Sequence, residues 1–90
     1  MELEIGKVSH YYDHIHVAVL ILNDSLKLGD TIHIVGHSAD FTQQVTSMEV
    51  DHHAILWVKP GQEVAIKVNQ PVHEHDLVLR VIEEALEFTA

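Results

Sequence analysis

No cysteine occurs in the 90 residues, which excludes disulfides, thiolate zinc sites and a cysteine nucleophile. Glycine (4) and proline (2) are scarce, too scarce for a collagen-like or linker-like chain. Cations are also few. Five Lys+Arg stand against 14 Asp+Glu, a formal charge of -9 with His neutral. Those five, Lys7, Lys27, Lys59, Lys67 and Arg80, are scattered, so general binding to DNA and other phosphate backbones is disfavoured. The longest uncharged apolar run, Val17 to Leu22, is far short of the ~20 residues a membrane helix needs. The acidic start Met1-Glu2-Leu3-Glu4 lacks the basic residues of a signal peptide. The expectation is a cytoplasmic chain without membrane contact.

What the chain does have is histidine and an ordinary share of apolar residues. Hydrophobic residues make up 47% and charged residues 21%, a globular composition, and the length allows a single domain over 1–90. The nine His titrate near pH ~6.5 when unperturbed. Protonating all of them moves the formal charge from -9 to zero, so mild acid is expected to reduce solubility.

Strand periodicity dominates. Val64, Ile66 and Val68 alternate with Ala65, Lys67 and Asn69, and Ile32 and Ile34 flank His33, the pattern of half-buried strands. Ile15 to Leu22 is apolar at both parities. That predicts a strand covered on both faces, by the core on one side and by another element on the other. Turn signals fall between these runs at Asn23-Asp24-Ser25, Leu28-Gly29-Asp30, Gly36 to Asp40, Lys59-Pro60-Gly61 and Gln70-Pro71. Gly29 is free to take positive φ, and Pro60-Gly61 suits a type II turn. Short strands so punctuated predict an all-β barrel or sandwich. Between Phe41 and Val50, Val45 and Met48 both read as inward. That needs one extra residue, so a bulge or corner is expected near Thr46-Ser47. Residues 82–90 are expected to form a C-terminal extension. Ile82, Ala85 and Leu86 lie on one face of a short helix packed on the barrel; the alternative is a strand end with a frayed tail.

Several segments carry a resemblance. Glu4-Ile5-Gly6-Lys7-Val8, the long apolar strand, Leu26 to Gly36 (LKLGDTIHIVG), Phe41 to Val50 (FTQQVTSMEV), Pro60 to Val68 and Asp76 to Leu79 resemble the second domain of translational GTPases such as elongation factor Tu. The likeness covers residues 4–82. The chain is more similar still to small stand-alone proteins of the translation elongation factor-like kind, and similar barrels sit at the C-terminus of some collagenase-like peptidases. The resemblance implies a closed six-stranded antiparallel barrel with Greek-key character, of the translation-protein type. It implies no nucleotide site, since G-x-x-x-x-G-K-[ST] is absent. Asp13-His14-Ile15-His16 replaces the glycine-rich turn that the factors place between their first two strands, so no site residue carries over.

Chemical candidates lie at the predicted barrel rim, in the loops around Tyr11 to His16, His37 to Asp40 and His73 to Asp76. Tyr11, Tyr12, His14, His16, His37 and Asp40 are the candidate binding residues. Tyr11 and Tyr12 could stack a base, but neighbours on a strand face opposite sides, so at most one does. His14 with His16, and His73 with His75, repeat an H-x-H spacing that places each pair on one strand face. With nearby carboxylates they form a candidate zinc or nickel set; the plainer reading is solvated rim positions. Gly36-His37-Ser38-Ala39-Asp40 superficially matches a nucleophile elbow but lacks the last glycine and the strand-to-helix turn. Trp57, the sole tryptophan, reads as core or interface.

The sequence therefore leads to a non-catalytic interaction module that binds protein or RNA of the translation apparatus and needs no cofactor. The alternative is a His-rich metal-binding or pH-responsive module. An enzyme ranks last, because no nucleophile–base–orienter set is readable. The surplus apolar surface at Ile15 to Leu22 and Ile55 to Val58 is covered either by the C-terminal segment or by a partner, a second copy of the chain or a client protein.

Overall fold

The computed structural model describes residues 1–82, and over them the fold is all β. The strands are β1 (Glu2–Tyr12), β2 (Val17–Leu22), β3 (Leu26–Lys27), β4 (Thr31–Val35), β5 (Asp40–Gln44), β6 (Met48–Val50), β7 (His53–Ala54), β8 (Trp57–Val58), β9 (Glu63–Lys67) and β10 (Leu77–Val81). Eight of them form one sheet in the order β5-β4-β10-β1-β2-β9-β6-β7, and β3 pairs with β8 in a separate ribbon. Among the described residues no helix is long and apolar enough to cross a membrane. The helix expected within 82–90 lies outside the described residues.

Alternation places the core. Ile5 and Val8 on β1, Ala18, Leu20 and Leu22 on β2, Ile32 and Ile34 on β4, Val64 and Ile66 on β9 and Val78 on β10 are buried in one cluster. Each buried Ile, Leu or Val side chain contributes about 1.5–3 kcal/mol relative to exposure. Gly6 lets β1 close on β2, since a Cβ there would lie 2.1 Å from the Ile21 carbonyl oxygen. The predicted turns form with Gly29 and Gly61 both at φ 92°, the value a type II turn requires at its third residue.

The ladder departs from the expected closed six-stranded barrel. Its eight-stranded order has two ends, β5 and β7. The chain itself runs from one end to the strand beside the other, because β5 leads into β6, the neighbour of β7, through Val45, Thr46 and Ser47. Here the sequence parity was informative. The strand breaks at 45–47, with Val45 and Met48 both buried. Across this seam the buried Gln43 side chain replaces a ladder. Its Nε2 donates to the Lys67 carbonyl at 2.9 Å, and its Oε1 accepts from the Asn69 amide at 2.7 Å.

Two burial expectations are corrected. Among the described residues, strand β2 is covered on one face only: Val17 and Val19 are half-buried and Ile21 is 48% exposed, with Ile15 beyond the strand 56% exposed, and the C-terminal segment expected to pack on the barrel lies outside those residues. Trp57, expected in the core or at an interface, is 62% exposed, which excludes the core alone. It pairs with Lys27 on the ribbon while its neighbour Val58 takes the inward position.

Candidate functional site

The uncovered face of β2 is the centre of the site. In register across it stand the rows Lys7–Ile21–Glu63, His10–Val19–Ala65 and Tyr12–Val17–Lys67, from β1, β2 and β9. Glu49 on β6 extends the middle row beside Ala65. Two turns raise the borders of this face. The β1–β2 turn ends on His16 at φ 58°, and the β6–β7 hairpin turns through Asp51 and His52 at φ 52° and 65°, the pair of left-handed residues that a two-residue type I′ hairpin needs. Between them lies an open groove of about 560 Å³, lined by Tyr12, Ile15, Val17 and Val19 on one flank and by Glu49, Asp51, His52 and Glu63 on the other, with Ala65 between them. An apolar floor beside three carboxylates suits apolar side chains accompanied by cations.

The rim loops singled out in the sequence meet through a chain of contacts. Ser38 Oγ lies 3.4 Å from His73 Nδ1, Glu74 lies 3.6 Å from His10, and the His10 ring stands edge-on to Tyr12 at 4.3 Å between centroids. Tyr11 is half-buried against the core, with its hydroxyl 3.5 Å from His16 Nδ1, while Tyr12 faces outward into the groove, as strand alternation requires. His14 is almost wholly exposed, 3.7 Å from Asp13. His37 is exposed in the β4–β5 loop. The His14/His16 and His73/His75 pairs are not gathered: among the described residues no three His, Asp or Glu side chains come together as a metal set.

The contact between Ser38 and His73 is a nucleophile–base pair in composition only. The nearby Asp76 is buried, and its Oδ2 accepts from the His73 main-chain amide at 2.9 Å. That carboxylate holds the loop rather than the imidazole ring. A working base needs its ring oriented by a third group.

Asp40 is drawn into a cluster that sequence reasoning missed. His33 on β4 points Nε2 at Asp40 Oδ1, 2.6 Å away, and Nδ1 at the two Glu2 carboxylate oxygens, at 2.9 and 3.0 Å. The Asp40 hydrogen bond, then that of Glu2, raises the His33 pKa above the usual histidine value. The three residues come from β1, β4 and β5, and Glu2 lies 31 positions from His33. The one local signal was a polar residue between two core isoleucines. The second apolar feature, around Trp57, has its cations already committed: Lys27 Nζ is 2.6 Å from Asp30, and Arg80 is 3.7 Å from Asp24 and bonds the Ser25 carbonyl.

No protein-family model matches the sequence. Over 78 residues the chain is 37% identical to an uncharacterized protease of Methanocaldococcus jannaschii, a match that covers 86% of this chain and 19% of the relative. The chain thus spans about a fifth of the curated relative's length. Among solved structures, the C-terminal domain of a Geobacillus thermoleovorans protein described as a U32 peptidase superposes with TM-score 0.83 at 19% identity, covering 89% of this chain and 93% of that one. A selenomethionine form of that domain gives TM-score 0.79 at 20% identity, covering 83% and 95%. These two likenesses establish the fold. They correct the resemblance to the second domain of translational GTPases and, with it, the expected translation-apparatus partner and translation-factor function. The metal-binding or pH-responsive alternative gains nothing from them either. The relatives carry peptidase names, and this chain has the fold of a peptidase C-terminal domain.

Proposed function

We propose that this chain is the accessory β-domain of a peptidase of the U32 kind: it engages polypeptide while cleavage is performed by a catalytic unit outside these 90 residues. The observation that carries this reading is the uncovered apolar face of β2, on a chain with the fold of a peptidase C-terminal domain. Apolar surface left in water is costly, and a groove bordered by polar groups is a common form of interaction site. The commitment of Asp76 to a main-chain amide, which leaves the Ser38–His73 pair without that carboxylate as an orienter, supports an accessory rather than a catalytic role. In this reading the curved sheet works as a closed barrel, with the Gln43 hydrogen bonds sealing β5 against the end of β9.

The test uses fluorescein-labelled lysozyme, reduced and carbamidomethylated so that it stays unfolded and basic. The purified chain is expected to raise the anisotropy of the label without releasing labelled fragments. Fragment release that Ser38→Ala abolishes would place cleavage on this chain and overturn the reading. Unchanged anisotropy at saturating protein would overturn it equally.

A further inference from the structure

We infer that the groove between the β1–β2 turn and the β6–β7 hairpin binds cationic amphipathic segments of polypeptide. Their apolar side chains lie on Tyr12, Ile15 and Val19, and their Lys or Arg side chains face Glu49, Asp51 and Glu63. The inference rests on the accessory-domain reading and adds to it the class of segment engaged and the site that engages it.

Charge decides the class. The groove lining includes three carboxylates and neither Lys nor Arg, on a chain of formal charge -9. An acidic segment would meet like charge at Glu49, Asp51 and Glu63, with Lys67 at the far end of β9 beside Val17 as the nearby cation, while a basic one is attracted before contact is made. Register decides the pattern. Val17 and Val19 share the outer face of β2, whereas Glu63 stands on the adjacent strand β9 and Glu49 on β6 beyond it. A ligand therefore presents apolar groups along one line and cations along a parallel one, as an extended segment of alternating apolar and basic residues does. Preorganisation comes from the turns. Asp51 is fixed by a two-residue hairpin and Ile15 by a turn closed by its own amide on the Tyr12 carbonyl at 3.4 Å, so little ordering remains to be done on binding.

Fluorescence anisotropy with short labelled peptides tests this. The three probes alternate leucine with lysine, leucine with glutamate, and serine with lysine. The leucine–lysine peptide is expected to bind at least about tenfold more tightly than either of the others. Two variants locate the site. The double change Glu49→Lys with Glu63→Lys should weaken leucine–lysine binding about tenfold and improve leucine–glutamate binding. Ile15→Ser should weaken binding of both leucine peptides. These positions are exposed, and an unchanged melting temperature confirms that each variant folds. Equal affinity for the serine–lysine peptide would reduce the effect to general charge attraction, and binding indifferent to both variants would place it elsewhere; either overturns the site. If leucine–glutamate binds as well as leucine–lysine, this inference fails while the polypeptide-engaging reading stands. If no peptide and no unfolded lysozyme binds, both fail.

Discussion

His33 can satisfy its two neighbours fully only as an imidazolium, because the neutral ring has one N–H and Glu2 and Asp40 both present acceptors. The proton thus joins three strands, β1, β4 and β5, although β10 lies between β1 and β4. The sign follows from the raised pKa. A histidine whose folded pKa lies above its unfolded value contributes stability that is fully present below about pH 6.5 and is lost as pH rises through the folded value. The side chain is 21% exposed, so solvent screening keeps the contribution modest. His33→Gln should therefore lower the melting temperature more at about pH 5.5 than at about pH 8.5. Taking the difference between variant and parent at each pH cancels the other eight histidines. An equal difference at both pH values would mean that the contact holds through packing alone.

At the scale of elements, the seam between β5 and β9 is the place where backbone pairing gives way to a side chain. Replacing Gln43 by Leu keeps the residue's approximate size but strands the Lys67 carbonyl and the Asn69 amide. A buried polar group left without its partner costs about 1–3 kcal/mol. Gln43→Leu should lower the urea midpoint and speed hydrogen exchange at the Asn69 amide, with the Ala18 and Leu20 amides on β2 changed far less. Uniform acceleration would mean global destabilisation rather than an opened seam. The strands themselves were legible because period two is local. Ile32 and Ile34, or Val64 and Ile66, declare a face within a few residues, and Val45 with Met48 declared the corner at 45–47. The closing device was not legible, since Gln43 reaches a partner 24 positions away. Hydrophobicity at both parities of β2 recorded that the strand has two apolar faces, but it could not say that one of them lies open. The core place expected for Trp57 failed for a related reason: aromatic character suggested burial, whereas parity gave the inward place to Val58. The family attribution went astray because LKLGDTIHIVG encodes a turn with Gly29 at φ 92° followed by β4. Those are requirements of the fold, which domains of quite different proteins can share.

For the molecule as a whole, charge and exposed apolar surface act against each other as pH changes. Near neutrality, a formal charge of -9 opposes the association that Ile15, Ile21, Leu56 and Trp57, each about half or more exposed, would favour. Mild acid, towards about pH 5.5, lies below the ordinary histidine pKa, and protonating all nine histidines would bring the formal charge from -9 to zero. Colloidal repulsion then fades. The fold does not weaken through His33, whose clasp is complete in that range. The expected outcome is precipitation of folded protein. Light scattering should rise in mild acid, and the pellet should redissolve at about pH 8 with its original melting temperature. Ile21→Lys, which adds a cation to the open face of β2, should shift the onset of scattering to higher pH and leave less precipitate at about pH 4. A pellet that redissolves only in denaturant would show unfolding instead, and the charge argument would then fail at this scale while the strand-level assignments stood.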